Sequence, residues 1–275
     1  MEWSKLKNVI LLMLLCVNAI LLLLVGSQAS QDRRYQAETR QAAQAVLEQG
    51  GIDFTLDEFP DDLALPVTTV TRDRTGEEGV AAALLGEVTL EGESEVRPRY
   101  SGPGGVAEFS MNGSFTIRLT AGTWTLGEDQ DYEASSQACL EAMGFTGALS
   151  GTDRNGKETV LTYYQSWEGS PLFSCTVRLH WQGEDLIQVE GQRLDGTVSA
   201  TASKSLLSTP TILVRFLAWI NEGGYVCSRI DAMDGGYLLS SNTTRQVQLT
   251  PVWRFVTDTG TYYVNAVTGE FSPLE

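Results

Sequence analysis

A run of 17 residues without a charge, Val9 to Val25, constrains this chain more than any other feature. At about 1.5 Å per residue a helix over it is roughly 25 Å long, and Leu6 and Gly26 extend it toward the thickness of a hydrocarbon core. Lys5 and Lys7 precede the run on a very short tail, and Asp32, Arg33 and Arg34 follow it. That charge order predicts an uncleaved single-pass anchor, with residues 1–8 cytoplasmic, 9–26 in the membrane and everything later exported. Ser27-Gln28-Ala29 offers a signal-peptide cleavage spacing, but the run is longer than a usual signal core. Asn18 falls near mid-membrane, where an interhelical hydrogen bond contributes around 1 kcal/mol, so it is the candidate transmembrane partner contact.

The chain as a whole is strongly acidic. With 19 Lys and Arg against 35 Asp and Glu, the net charge of −16 repels a phosphate backbone and excludes nucleic acid as a first expectation. The 275 residues, 42% of them hydrophobic, suffice for a core in one or two modest domains. A single histidine, His180, removes two-histidine metal sites and triads that need a second imidazole. Of four cysteines, Cys16 lies in the apolar run, and Cys139, Cys175 and Cys227 read as small buried thiols, with at most one pair among them.

The expected class is α+β: the transmembrane helix, then repeated units of helix plus antiparallel β-meander. A stalk helix is expected over 27–50, stopped by Gly50-Gly51. From 51 to 128 a first extracytoplasmic unit reads as short strands and turns, with Pro60, Pro66, Pro98, Pro103 and many glycines. From 129 to 275 a second domain opens with a helix over 129–143, its apolar face formed by Tyr132, Cys139, Leu140 and Met143. Strands follow over 158–166, 172–181 and 185–193. In the second, Phe173, Cys175, Val177, Leu179 and Trp181 share one face and His180 lies on the other. Ser208-Thr209-Pro210 starts a buried helix over 212–220 with Thr209 as cap. Strands over 225–230, 236–239, 246–257 and 261–267 close the chain, with Asp234-Gly235 and Pro251 as breaks. Helix, glycine and meander thus recur after residues 49, 143 and 222.

No motif assembles a reactive set. Gly151 to Lys157 has phosphate-loop spacing, but Glu158 replaces the Ser or Thr and a strand follows, so a hairpin turn at Asn155-Gly156 is expected. Glu77-Glu78 and Glu184-Asp185 read as solvated turns, and Asp129-Gln130-Asp131 lacks a full calcium loop. Asn112-Gly113-Ser114 and Asn242-Thr243-Thr244 match glycosylation acceptors, a short motif that carries little alone. No catalytic, cofactor or metal residues are expected, and the chain reads as a non-enzyme.

Two segments carry a resemblance. The start, Met1-Glu2-Trp3-Ser4-Lys5-Leu6-Lys7 running into an apolar helix with Asn18, resembles the YycI branch of the YycH/YycI family. The end resembles that family's C-terminal signature through Gly236 and Tyr237, then Leu249 to Phe255 with Pro251 and Trp253, then Tyr262 to Glu270 with Tyr263, Val264, Asn265, Ala266 and Gly269. The stretch from Tyr262 to Phe271 is also similar to PepSY-type modules. The family resemblance implies a protein of the bacterial cell membrane, an accessory regulator of a sensor histidine kinase governing cell-wall metabolism, often beside a YycH-like protein, with no catalytic residues. The PepSY-like likeness implies instead a module that restrains an envelope peptidase or binds an envelope ligand. Trp253 and Tyr263 are expected in the core of the last sheet, and Asn265 and Gly269 in a turn.

Overall fold

A computed structural model describes residues 41–42, 45, 47–54, 60–92, 96–241, 243 and 245–272. The expected anchor over 9–26, with Trp3, Cys16 and Asn18, lies outside the described residues, as does most of the stalk. No helix among the described residues is long and apolar enough to cross a membrane.

The architecture is mixed α+β, mostly antiparallel sheet, and its element order repeats. Helix α1 (Glu77–Leu85) precedes β3 (Thr89–Glu91), β4 (Arg99–Gly102), β5 (Gly105–Phe109) and β6 (Ser114–Leu119). Helix α2 (Tyr132–Ala142) precedes β7 (Gly147–Asn155), β8 (Glu158–Trp167), β9 (Ser170–Gln182) and β10 (Asp185–Gln192). Helix α3 (Thr209–Gly223) precedes β12 (Arg229–Ser241), β13 (Gln246–Thr257), β14 (Gly260–Asn265) and β15 (Phe271–Ser272). Strands β1 (Asp53–Phe54) and β2 (Val67–Arg72) lead, and β11 (Gly196–Ala202) joins the second repeat to the third.

The chain divides into two compact units. The larger comprises Asp62–Leu207, Ala232–Val256 and the residues from Gly260 onward. In it β6 and β10, the last strands of the first two repeats, pair antiparallel from Ser114↔Gln192 to Arg118↔Gln188. The meanders then run outward to either side, in the order β7-β8-β9-β10-β6-β5-β4-β3. Read from either end this is the same sequence of strands, a local two-fold relation between repeats. Residue 128, the expected boundary between extracytoplasmic parts, falls between the repeats and inside this one compact unit.

Both helices bury their apolar faces in one cluster. Val80, Ala81, Leu84 and Leu85 of α1 meet Cys139, Leu140 and Met143 beside Ile117, Leu161, Val177, Leu179 and Trp181 of the sheet. Trp181 is fully buried, and its Nε1 donates to Ser136 Oγ at 2.9 Å, which satisfies a polar group inside α2. Asp131 is the N-cap of α2 and accepts from Glu133 N, so the acidic stretch considered for calcium serves a helix start.

Several expectations need correction. Glu77 and Glu78 are the first turn of α1, not a solvated turn; acidic side chains suit that end of the helix dipole, and three alanines carry the helix past Gly79. The faces of β9 divide. Val177, Leu179 and Trp181 join the helix-covered core, whereas Cys175 and Phe173 enter two other clusters. The cause is a register shift opposite Tyr164 and Gln165, which bends the strand. Strand β12 runs straight through Asp234-Gly235 and β13 through Pro251. The turn at Asn155-Gly156 is as expected, with Gly156 at φ +63° between β7 and β8.

The smaller unit comprises the described residues up to Asp61, Ser208–Asp231 and Thr257–Thr259. Here Ile52 N donates to Leu47 O at 3.0 Å with Gly51 at φ +76°, the glycine stop expected at 50–51. Asp53 and Phe54 pair in parallel with Arg229 and Ile230. The N-cap of α3 is Ser208, not Thr209; Thr209 is fully buried and its hydroxyl donates to Asp61 O. Ile212, Leu213, Phe216, Leu217 and Ile220 are buried, and Gly224 at φ +64° ends the helix.

Candidate functional site

The C-terminal signature residues come together on β12, β13 and β14 and in the turn after β14. Gly236 is required by close approach: a Cβ there would lie 2.6 Å from both Phe173 Cε2 and Pro171 O of β9. That approach lets Tyr237 pair in parallel with Leu172. Pro251 O accepts from Ala266 N at 2.9 Å, which ties β13 to the end of β14. Trp253 and Tyr263 are buried, with Val264 and Ala266 fully so.

The turn after Asn265 is side-chain built. Asn265 Oδ1 accepts from Val267 N at 2.8 Å and Thr268 N at 3.1 Å, while Gly269 N donates to Asn265 O at 2.8 Å. Gly269 sits at φ +73°, a conformation that asks for glycine. These residues form the hairpin itself, with the Asn265 side-chain oxygen taken up inside the turn.

On the other side of β13 from Trp253, Arg254 is the centre of a polar cluster. Its Nη2 and Nε reach Asp234 Oδ2 at 2.6 and 3.2 Å. The guanidinium carbon lies 5.2 Å from the Tyr164 ring centroid and 4.9 Å from that of Phe173. Phe173 contacts Tyr164 edge-on and Tyr263 at a tilt, each with centroids 5.4 Å apart. Burial pushes the Tyr164 phenol up, but hydrogen bonds from Ser150, Tyr263 and Arg254 outweigh it and leave it below the usual tyrosine range. Burial, then the charge on Tyr164, pushes Tyr263 up. Burial would lower Arg254, yet its pairing with Asp234 leaves it raised and firmly charged. The cluster pairs one positive with one negative charge and opens to solvent through Asp234.

Sequence reasoning missed Arg254 and Asp234 as partners because they are 20 residues apart and Asp234 read as a turn. The one available signal was alternation: Trp253 inward places Arg254 on the opposite face. His180 lies on the polar face as expected, its Nδ1 3.4 Å from Glu158 and its Nε2 3.4 Å from Glu190. Burial pushes the Cys139 and Cys175 thiols up to about 12, where the thiolate is scarce. Among the described residues no group of His, Cys, Asp and Glu could hold a metal ion.

No family model matches the chain, and no curated protein matches it. Among solved structures it is similar to an uncharacterized protein from Eubacterium rectale, at 10% identity and TM-score 0.51, over 77% of this chain and 86% of that one. It is also similar to the C-terminal domain of YpeB from Bacillus megaterium, at 12% identity and TM-score 0.42, over 74% of this chain and 98% of that one. The first likeness shows a shared α+β fold. The resemblance to the YycH/YycI family rests on the two ends of the sequence.

Proposed function

We propose that this chain is a membrane-anchored extracytoplasmic module that controls a partner protein by contact rather than by turnover. The observation that carries this reading is the repeat of helix plus four-strand meander, whose third copy ends in the hairpin of Tyr263, Asn265 and Gly269. The stretch similar to PepSY-type modules is therefore one end of a unit that recurs, and its turn is held by the Asn265 side-chain oxygen. The favoured partner is an envelope peptidase held in restraint. A sensor histidine kinase, with a YycH-like protein beside it, is the second reading, and the observation that favours it is the uncharged run with Asn18 at its middle.

In either case the mechanism is a population shift: the module changes its partner only by touching two of its conformations unequally. A tenfold change in the partner's active fraction needs about 1.4 kcal/mol of differential contact. The test is to reconstitute the full chain with the protein it captures from its own membranes and follow that protein's rate. A change that saturates near equal stoichiometry supports the reading, and turnover of a substrate by the chain alone contradicts it.

A further inference from the structure

At one end of β2, in the larger unit, arginines and carboxylates surround a cavity of about 20 Å³. Two of the three carboxylates there are already paired with other arginines, and the third is exposed. Glu77 holds Arg74 at 2.7 and 3.0 Å, Asp195 holds Arg193 at 2.5 Å, and Asp73 accepts from Thr75 N at 2.9 Å. Arg72 is left over. Its side chain makes one hydrogen bond among the described residues, from Nη1 to Arg193 O at 3.4 Å, and no ion pair. The Nε groups of both Arg72 and Arg193 are buried without an acceptor. Half-burial costs the Arg72 charge enough to lower its affinity for the proton. Gly113 at φ +85° keeps the space open, since a Cβ there would collide with Arg72 Nη1 and Arg193 O.

We propose that this cavity is a binding site for a single carboxylate, held by Arg72 with Arg193 beside it. An uncompensated, half-buried guanidinium gains from a charged acceptor oxygen within hydrogen-bond reach. The volume admits about one water-sized group on the same measure, so one carboxylate oxygen enters it and the rest of the acid lies at its mouth. Phe109 and the exposed Met111 also line the cavity and give the carboxylate's tail an apolar surface. The chemistry fits a peptide carboxylate or a small free acid. It stands on the geometry alone and does not depend on the partner proposed above.

The test is the melting temperature of the full chain in detergent micelles, titrated at constant ionic strength with acetate, N-acetylglycine or N-acetylglycinamide. A saturable rise with both acids and none with the amide is expected, and it disappears in Arg72→Met. A rise with N-acetylglycine alone assigns the site to a peptide terminus, and a rise with both assigns it to small carboxylates in general. Met111→Glu, at an exposed position, supplies a tethered carboxylate and is expected to blunt the response even where Arg72→Met fails to fold. No saturable rise with either acid, an equal rise with the amide, an unchanged response in folded Arg72→Met, or an unchanged response in Met111→Glu overturns the proposal.

Discussion

Gln165 and Leu194 are joined by two hydrogen bonds of equal length: Gln165 Nε2 donates to Leu194 O, and Leu194 N donates to Gln165 Oε1, each at 2.8 Å. Both residues are buried, and the amide side chain stands in for a neighbouring strand at the point where β10 has ended. Gln165→Leu strands a backbone donor and acceptor away from water. The expected loss is roughly 2–4 kcal/mol, read as a lower urea midpoint with unchanged slope. A shift below a few tenths of that would show that water reaches Leu194.

Gly236→Ala tests the close approach of β12 to β9. The new methyl meets a backbone carbonyl as well as the Phe173 ring, so relief requires strand movement. Destabilisation of about 1–3 kcal/mol is expected. Gly151→Ala, where nothing lies within 4 Å, is the matched control and should stay within about 0.5 kcal/mol of the parent.

Thiol reactivity should separate the three described cysteines. With Cys139 and Cys175 buried and pushed up to about 12, iodoacetamide at pH 8 is expected to label Cys227 first in the folded chain. Peptide mass mapping reads the order. Equal labelling of all three before unfolding would contradict the burial of Cys139 and Cys175.

Asp258 links stability to pH in the smaller unit. Its carboxylate accepts from the Ser228 hydroxyl and from the backbone N–H groups of Ser228 and Arg229, and the Ser228 hydroxyl is the main reason its pKa lies below the ordinary aspartate value. A carboxyl depressed on folding stabilises fully above its unfolded pKa of about 3.9 and loses that contribution as pH falls through the lower folded value. Asp258→Asn should therefore melt below the parent at pH 7, and the gap should narrow as pH drops below about 4. A gap independent of pH would place the effect outside this ionisation.

Much of the fold is legible in local pattern, and what is missing has physical causes. The period-3.6 face of Cys139 and Leu140 and the alternation of Val177, Leu179 and Trp181 reveal α2 and β9 because each buries one side against a shared core. Helix α1 hides behind Gly76 and Gly79, which look like turn residues although the alanines after them favour a helix. The bend of β9 is invisible because a register shift depends on its neighbour β8, not on its own residues. The Arg254 cluster and the Arg72 cavity are assembled from distant segments, so pairing sets them and spacing cannot.

Contact with a partner is read by a crosslinked pull-down. Full-length, tagged protein is recovered from native membranes beside a version whose residues 9–25 are replaced by an unrelated apolar helix, with partners identified by mass spectrometry. One enriched envelope protein at near-equal stoichiometry is expected: a peptidase unaffected by the replacement, or a sensor kinase whose recovery drops with it. Recovery of no stoichiometric partner by either version would contradict that contact.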